Sequence, residues 1–368
     1  MFWYLLNIFL IILAWLWPVN VPSADILSSK EFNYRRGSIR KKRTCIVGTV
    51  NWIVLSGFRA WTIGADTVAY KQYRFDRTMT RSWSSILADF VLKYKDNNSN
   101  IKDPGYPLLE KIFQLFTTNY QMWLVCIAVI FMVPMGIWIY RYSSNACMSW
   151  ILFSTLFYSF FAITGHRQTI ATALVVWLGG TFIKGKKLVP FILVMLVAMT
   201  IHASAICFLP FYWLSKIKIN KVTIGVYWGL IIISFLARDR LLLLLQNIVG
   251  YEDYQFMESA QAGMFLYLLL AVALVVTIFW RYLMRSDNCM LQISINALYI
   301  ASIFSSLLLI NSAFMRVVQY YSLFLMLLLP ELAQLFKKGE SRVLYNGVVC
   351  LLMVLLLISN NPSYAFCF

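Results

Sequence analysis

Residues 124–140 read LVCIAVIFMVPMGIWIY, an apolar run without a charged side chain, and similar runs occupy residues 5–17 and 343–358. Runs of about 17–25 apolar residues are long enough to cross a bilayer core of about 30 Å as an α-helix. A helix is required because lipid offers no hydrogen-bond partner to backbone N–H and C=O groups. A membrane β-barrel has a different pattern, of short alternating segments. The sequence therefore predicts an all-α integral membrane protein.

The composition supports this fold class. The chain has 368 residues, of which 61% are hydrophobic and 13% are charged, and its mean hydropathy is +0.71. A soluble protein has about 25% charged residues. Residues 1–19 lack the basic start and the small-residue cleavage site of a secretion signal, so we predict a retained span. The seven cysteines have no metal-ligand spacing, which favours buried apolar roles over disulfides or metal ligands.

The basic residues predict the orientation. The apolar runs give about twelve transmembrane helices, near residues 2–19, 45–60, 120–140, 146–164, 168–183, 188–201, 203–215, 222–237, 263–280, 289–310, 317–336 and 343–359. The six connections on one side hold 19 of the 32 lysines and arginines. Because cytoplasmic loops are rich in Lys and Arg, both termini are predicted to be periplasmic in a bacterial inner (cytoplasmic) membrane. The net charge of +17 therefore indicates topology, and no nucleic acid partner is expected.

The apolar stretch 188–214 is too long for one span and short for two, at about 40 Å as a single helix. A single span would move the basic clusters at residues 216–221, 281–285 and 337–342 to the periplasm, against the charge rule. We therefore predict two short helices that meet around His202 on the outer side.

The longest connection, residues 60–119, is predicted to be a periplasmic loop between spans two and three of a single membrane domain, residues 1–368. Apolar residues between 83 and 94 recur on one helical face, which predicts an amphipathic helix on the membrane surface. The pair Asp103-Pro104 has the pattern of an N-cap followed by a first helical turn. A second amphipathic helix is predicted at residues 108–116.

The unusual polar side chains lie on the predicted outer side, whereas the cytoplasmic side offers only basic clusters typical of topology anchors. Ionisable groups at membrane depth are costly and tend to be functional, so a site is expected to face outward. The outer set is His166, His202, Arg59, Arg167, Arg238, Arg316, Asp66, Tyr70, Asp103, Tyr106 and Glu110.

Three arginines at outer helix ends, Arg59, Arg167 and Arg316, together indicate a phosphate cradle, in which each charge-assisted bond contributes about 1.5–3 kcal/mol. The alternative for each is that it extends to the membrane surface without binding an anion. His202 is either a structural histidine or a group that acts as a base or donates to a phosphate.

Two further motifs each have alternative interpretations. Asp66, which precedes Thr67, either caps a helix or accepts a proton from a hydroxyl group. The acidic pair Glu252-Asp253 is too common a pattern to predict a metal site, and we predict none.

The outer motifs resemble those of the EpsG-like branch of the Wzy polysaccharide polymerases, over about residues 50–335. The blocks that carry the resemblance occur in the order of the family, and each is short. They are Phe58-Arg59, Gly64-Ala65-Asp66-Thr67 with Tyr70, Asp103-Pro104-Gly105-Tyr106-Pro107-Leu108-Leu109, Arg167-Gln168-Thr169-Ile170-Ala171, His202-Ala203-Ser204-Ala205 and Arg316-Val317-Val318-Gln319-Tyr320-Tyr321.

The resemblance implies a GT-C-like glycosyltransferase that works without a metal or another cofactor at the periplasmic face. Its partners would be an undecaprenyl-pyrophosphate-linked glycan donor, an acceptor of the same class, membrane lipid and, as a further candidate, a chain-length regulator protein. The reaction would join oligosaccharide repeat units into O-antigen, capsular or exopolysaccharide chains.

On this resemblance, site roles are expected as follows. The pyrophosphate would be bound by Arg59, Arg167 and Arg316. Acid–base chemistry would be carried by His202, Asp66 or His166. Contacts to sugar would come from Tyr70, Asp103, Tyr106, Gln319 and Tyr320.

Other classes of membrane protein compete with this interpretation. A flippase for the same lipid-linked sugars would carry charges within the membrane core and often shows related halves. A ligase that moves finished O-antigen onto its lipid acceptor would have similar helices and outer arginines. An outward-facing acyltransferase would carry its catalytic histidine deeper in the core. The charges at one face and the absence of a visible sequence repeat favour the polymerase.

Overall fold

The computed structural model describes residues 1–19, 29–64, 66–95, 101–241, 243, 260–286, 288–337 and 339–368. Within these ranges the regular elements are helices, and the one β-bridge joins Arg59 to Phe366. The prediction of an all-α protein is confirmed for this part of the chain.

The helices are numbered in chain order. They are α1 Phe2–Leu16, α2 Ser29–Gly57, α3 Thr67–Tyr70, α4 Asp76–Thr80, α5 Trp83–Lys95, α6 Gly105–Phe113, α7 Tyr120–Tyr142, α8 Ala146–Leu152, α9 Arg167–Thr172, α10 Gly180–Lys184, α11 Leu188–Ile201, α12 Phe211–Leu214, α13 Lys221–Leu236, α14 Ala260–Leu283, α15 Cys289–Phe304, α16 Met315–Ser322, α17 Leu325–Leu332 and α18 Glu340–Asn360.

Several of these helices are suited to crossing a membrane. In the described ranges, four are long and apolar enough: Tyr120–Tyr142, Gly263–Leu283, Cys289–Leu309 and Glu340–Asn360. A fifth crossing results if Ser312–Ser322 and Leu325–Leu335, which meet at 57°, form one broken span. The shorter apolar helices have 10–17 residues, below the roughly 20 that a straight span needs. The chain is therefore a membrane protein, and the count of about twelve spans stays a prediction.

Irregular turns interrupt several of the apolar stretches. The predicted span at residues 146–164 continues beyond α8 as π-helical turns at Phe153–Phe157 and Ser159–Thr164, a feature often found at functional sites. At His202 the backbone is extended, with φ −153° and ψ 114°, which ends α11 and leads into a 3-10 helix at Ala203–Phe208. The two helices predicted to meet at His202 are therefore present.

The long helices α2 and α7 pack along each other and position the outer ends of the bundle. A Cβ atom on Gly136 of α7 would lie 2.1 Å from Thr49 Oγ1 of α2, so only glycine permits this approach. The indole ring of Trp52 is fully buried in the same core. At the outer end, the Gln121 side chain of α7 donates to the carbonyl oxygen of Gly57 at 2.5 Å and to that of Arg59 at 3.0 Å. Arg59 is thereby fixed beside the start of α7.

The outer loop contains both predicted amphipathic helices. The first occurs at α5, and the second, α6, begins three residues before the predicted residue 108. The capping prediction for Asp103 is wrong, because its side chain makes no cap hydrogen bond to α6 and its φ of +55° is left-handed. The carboxylate is instead used between helices, as described below. A helix does begin at Thr67, as one of the two alternatives for Asp66 predicts, and Asp66 occupies its N-cap position without a side-chain cap hydrogen bond. The further helical turns up to Thr80 were not predicted.

The cysteines differ from one another in burial more than the sequence suggested. All seven are free thiols. Cys45 and Cys147 are buried, but Cys289 and Cys367 are exposed. The expectation of buried apolar roles therefore does not hold for these last two.

Candidate functional site

Asp103 is the centre of a buried polar cluster that joins three segments of the chain. Its Oδ2 atom accepts a hydrogen bond from Arg167 Nη1 and lies 3.3 Å from His202 Nδ1. Its Oδ1 atom accepts from the backbone N–H of Ala203 at 2.8 Å. Burial raises the pKa of the carboxyl group, but the contacts with His202, Arg167 and Ala203 outweigh it and bring the pKa below its ordinary value. Asp103 is therefore an ionised hydrogen-bond acceptor.

The backbone of Asp103 is consistent with a functional constraint. A left-handed conformation at a non-glycine residue costs on the order of 1–3 kcal/mol and is retained where the surroundings enforce it. Here the conformation brings the carboxylate to the break between α11 and the following 3-10 helix. The N–H group of Ala203 begins that 3-10 helix and donates to the carboxylate.

His202 is buried and is oriented by this carboxylate. Because ionised Asp103 only accepts hydrogen bonds, the proton of the neutral ring lies on Nδ1, and Nε2 carries the lone pair. Among the described residues, Nε2 has no hydrogen-bond partner. Burial lowers the pKa of His202, Asp103 acts in the opposite direction, and the positive charges of Arg167 and Arg316 add to the lowering. A neutral imidazole held by a carboxylate is the arrangement of a general base.

Arg167 lies at the start of α9, beside Asp103, and connects it to an aromatic pair. Its Nε atom donates to the Tyr70 hydroxyl at 3.2 Å, and its guanidinium carbon lies 5.6 Å from the centre of the Tyr70 ring. The Tyr70 ring in turn stacks on the imidazole of His166, with centroids 4.3 Å apart. The Arg167 side chain remains 16% exposed, so it reaches both the buried cluster and the outer surface.

His166 has partners on both ring nitrogens. Nε2 lies 3.3 Å from Arg59 Nη2, and Nδ1 lies 3.4 Å from the Tyr106 hydroxyl, which also accepts from Trp123 Nε1 at 3.2 Å. Since guanidinium only donates, Nε2 accepts and Nδ1 carries the proton. Burial lowers the pKa of His166 well below its ordinary value, and the positive charges of Arg59 and Arg167 lower it further. This histidine is neutral and fully hydrogen-bonded.

Arg59 is only 3% exposed and is held from two directions. Its Nη1 atom donates to the carbonyl oxygen of Ser56, and its backbone pairs with Phe366 near the end of the chain. Two backbone hydrogen bonds extend this pairing, from Ala60 N to Ala365 O at 2.8 Å and from Cys367 N to Phe58 O at 3.0 Å. The guanidinium therefore lies beneath His166, shielded from solvent.

The segment around Arg316 lies beside the same cluster. The carbonyl oxygen of Arg316 accepts from Gln168 Nε2 at 2.6 Å, and the Tyr320 hydroxyl lies 3.2 Å from Ser204 Oγ, two residues after His202. The half-buried guanidinium of Arg316 makes no hydrogen bond or ion pair with any residue that the structure describes. It is close enough to lower the pKa of His202 by its charge.

A cavity of about 870 Å³ lies next to this segment. Gln319 and Ser312 contribute polar groups to it, and Gly64 and Thr164 lie on its wall. Much of the remaining wall is apolar, from α14 and α18, including Met264 and Leu352. The cavity therefore combines polar groups near the cluster with a wall suited to an apolar chain.

Asp66 is not part of the hydrogen-bonded cluster, and the acidic pair of the sequence analysis is not described. Asp66 is exposed, and within the described ranges its carboxylate makes no hydrogen bond or ion pair. Glu252 and Asp253 lie outside the described residues. Among the residues that are described, no group of three or more His, Cys, Asp or Glu side chains is arranged to bind a metal ion.

The sequence did not indicate several groups that hold the site together. In the sequence Trp123 is one residue of an apolar span, but in the structure its indole N–H donates to the Tyr106 hydroxyl. Gln168 was noted within a motif but had no assigned role. The pairing of Arg59 with Phe366 joins residues far apart in the chain and leaves no local pattern.

Comparison with known proteins gives one family match. The model of the EpsG family matches residues 43–366, which include every residue of the cluster. No curated protein and no solved structure matched the chain. Family membership indicates a membrane protein of polysaccharide biosynthesis. Since the match covers most of the sequence, the chain belongs to the EpsG family.

Proposed function

We propose that this protein is a polymerase that joins undecaprenyl-pyrophosphate-linked oligosaccharide repeat units into O-antigen, capsular or exopolysaccharide chains. The observation that carries the proposal is His202, a buried neutral imidazole whose Nδ1 is bound by Asp103 and whose Nε2 has no hydrogen-bond partner among the described residues. Membership of the EpsG family supplies the class of pathway.

In the proposed reaction, a hydroxyl oxygen of the acceptor glycan attacks the anomeric carbon of the donor glycan. The bond from that carbon to the pyrophosphate oxygen breaks, and the lipid pyrophosphate leaves with the electron pair. His202 Nε2 takes the proton of the hydroxyl group. Asp103 stabilises the imidazolium that forms, by the charge-assisted hydrogen bond to Nδ1.

We assign the leaving pyrophosphate to Arg167 and Arg316. Both guanidiniums are partly exposed, and both act electrostatically on His202. Fixed positive charges near a developing anion lower the barrier most when they are already in position. Arg59 was expected to share this role; because it is shielded beneath His166, we assign it an indirect electrostatic contribution.

The remaining predicted residues receive roles according to exposure. Tyr70 and Gln319 are placed to contact sugar, since Tyr70 is partly exposed and Gln319 lines the large cavity. Tyr106 and Tyr320 are fully buried, so we assign them to the support of His166 and of the His202 segment. Asp66 is the alternative base, in an exposed position.

The proposal keeps the expected topology, with about twelve spans, a GT-C-like arrangement, periplasmic termini and a periplasmic site. Lipid chains must reach this site from the side. The cavity of about 870 Å³, with its apolar wall, is our candidate for that access.

The experiment is a gel of surface polysaccharide from a strain that lacks the gene, with and without the gene restored. We expect a single repeat unit in the deletion strain and a ladder on complementation. Loss of even the single repeat would instead indicate the flippase or the ligase, and an unchanged ladder would remove the protein from glycan assembly.

Arg167→Ala should abolish the ladder while the protein still reaches the membrane, because Asp103 and the leaving group both lose a guanidinium. Arg36→Ala on the exposed part of α2 is the matched control and should complement fully. Normal long chains from the Arg167→Ala strain would remove Arg167 from the mechanism.

A further inference from the structure

A second cluster of basic side chains surrounds a separate cavity in the outer loop. The cavity has a volume of about 470 Å³ and lies between residues 73–81, the helix α5 and the segment at 101–107. We call it the basic pocket. The residues that define it are Tyr73, Arg74, Arg77, Arg81, Asp89 and Lys102.

The charges that line the basic pocket do not balance within it. Asp89, the one acidic side chain among the described residues that line it, is paired with Arg81, at 2.9 Å from Oδ2 to Nη1. Arg81 is held further by Ser85, whose carbonyl and hydroxyl oxygens accept from Nη2 at 3.0 and 2.9 Å. In contrast, the guanidinium groups of Arg74 and Arg77 make no hydrogen bond or ion pair with any described residue.

Two acidic side chains near these arginines in the described ranges, Asp76 and Glu110, have their hydrogen bonds with other residues. Asp76 lies between Arg74 and Arg77 in the sequence, yet its carboxylate pairs with Lys71 at 2.8 Å. Glu110 lies behind the pocket, fully buried, where it accepts a hydrogen bond from Thr78 Oγ1 at 3.0 Å. Burial raises the pKa of Glu110 to about 8, so it carries little negative charge at neutral pH. The described residues that line the pocket thus carry an excess of positive charge, which is suited to an anion.

The apolar side of α5 relates the pocket to the membrane. Trp83, Leu87 and Val91 follow one another at four-residue spacing and are 39%, 53% and 62% exposed. Such a stripe on an amphipathic helix inserts about 5–10 Å into the boundary between head groups and acyl chains. Ser85 and Asp89 lie on the opposite side of the helix and form part of the pocket wall. Insertion of α5 by this stripe would place the pocket on the water side of the helix, where a phosphate that projects from the membrane would meet it.

The same short segment lines both the basic pocket and the His202 cluster. Lys102 contributes to the pocket and Asp103 to the cluster, while Pro107 faces the pocket and Tyr106 contacts His166. The two sites are thus neighbours separated by α6. A reaction that joins two lipid-linked glycans has to hold two anionic head groups at once, and Arg167 with Arg316 accounts for one.

We propose that the basic pocket binds the phosphate head group of a lipid, and that this lipid is the second pyrophosphate-linked substrate. The second part rests on the proposed function. A pyrophosphate carries more negative charge than the phosphodiester of a phospholipid and projects farther from the membrane, which fits a pocket with several cationic groups on the water side of α5.

The test uses the purified full-length protein in nanodiscs of phosphatidylcholine, with native mass spectrometry to count bound lipids. The probes are undecaprenyl pyrophosphate, phosphatidylglycerol and inorganic pyrophosphate. We expect wild type to bind two molecules of undecaprenyl pyrophosphate, and Arg74→Gln/Arg77→Gln to bind one. The affinity at the lost site should fall by about tenfold or more, since each lost charged hydrogen bond changes affinity by about tenfold.

The matched control is Arg35→Gln/Arg36→Gln, which removes two exposed guanidiniums from the far end of α2 and should leave the count at two. The single variant Arg77→Gln, at an exposed position, guards against misfolding and should weaken the same site partially. An unchanged number of bound lipids with unchanged affinity in Arg74→Gln/Arg77→Gln would contradict the proposal that the basic pocket binds a phosphate head group.

The probes also separate the two sources of phosphate. If the variant loses affinity for phosphatidylglycerol but not for undecaprenyl pyrophosphate, the assignment to the second substrate is overturned. Loss of inorganic pyrophosphate binding together with the lipid pyrophosphate supports recognition of the head group. Failure of the proposed function would appear separately, as wild-type protein that binds both lipids and forms no polymer.

Discussion

The two histidines of this chain lie near each other in the outer region and are both buried, but their hydrogen bonding differs. His166 has a partner on each nitrogen, Arg59 on one side and Tyr106 on the other. His202 is bound by Asp103 through Nδ1, while its Nε2 has no partner among the described residues. Because a general base needs a lone pair that no other protein group occupies, this difference is the reason that we propose proton transfer for His202 and positioning for His166.

The charges around the two rings point in the same direction. His166 is acted on by the cations Arg59 and Arg167, which oppose its protonation. The positive charges of Arg167 and Arg316 also lower the pKa of His202, but Asp103 acts against this lowering and would stabilise the imidazolium formed during a reaction. Burial is common to both histidines and does not distinguish them; our proposal for His202 rests on the carboxylate at Nδ1 and on the unpartnered Nε2.

The largest effect is expected for His202→Gln. Removal of the general base should lower the rate of polymerisation by about a hundredfold to ten-thousandfold. The measurement is the polysaccharide ladder of a complemented deletion strain at matched protein levels in the membrane. A normal ladder would transfer the role of base away from His202, with Asp66 as the next candidate.

Protonation of His202 should also abolish its activity as a base. Since its pKa is lowered from the ordinary value of 6.5, activity should persist at neutral pH and fall only at acidic pH, as the ring becomes charged.

Asp103→Asn removes the negative charge that opposes this lowering and that stabilises the imidazolium. The rate should therefore fall by about tenfold to a hundredfold, which corresponds to a loss of about 1.5–3 kcal/mol. The acidic limb of the pH–rate profile should move to lower pH. If the acidic limb of the profile does not move, Asp103 does not influence the pKa of His202.

A smaller effect is expected for His166→Gln. The ring makes one charge-assisted hydrogen bond, with Arg59, and one neutral hydrogen bond, with Tyr106, so we expect a loss of about 1.5–3 kcal/mol in the free energy of unfolding. The rate should stay within about tenfold of wild type. Thermal unfolding in detergent and the same ladder assay measure the two quantities. A loss of rate equal to that of His202→Gln would erase the distinction between the two histidines.

The smallest effect on activity is expected for Glu110→Gln. Burial raises the pKa of Glu110 in the folded state to about 8, above its ordinary value of 4.5, so its contribution to stability is present below about pH 4.5 and lost as pH rises through 8. Glutamine cannot ionise and should match the protonated acid in shape. The variant should therefore equal wild type near pH 5 and exceed it in thermal stability at pH 9. Identical stability profiles for both proteins would contradict the buried, protonated state.

The fold was predictable where a single physical requirement dominates. Apolar runs such as residues 124–140 have to be helical in lipid, and the helix α7 is present there. The break at His202 followed from length and charge alone. The π-helical turns at Phe153–Phe157 and Ser159–Thr164 could not be predicted, because they depend on the packing of neighbouring helices rather than on local sequence.

The sequence indicated residues of the candidate site, but it did not indicate which of them contact one another. The cost of burying polar groups at membrane depth was enough to indicate His202, Arg167 and Asp103. It did not show that Asp103 is an orienting acceptor rather than a helix cap, since that depends on the distant N–H group of Ala203. Nor did it show that Arg59 is enclosed by Phe366, which requires contact between the second helix and the end of the chain.

The most direct test of the account is polymerisation of a defined undecaprenyl-pyrophosphate-linked repeat unit by the purified protein in proteoliposomes, with wild type, His202→Gln and His166→Gln compared side by side. We predict chains of several repeat units from wild type, reduced but measurable chains from His166→Gln, and unreacted single repeats from His202→Gln. Equal polymer from wild type and His202→Gln would contradict the assignment of the base, and no polymer from wild type would contradict the proposed function itself.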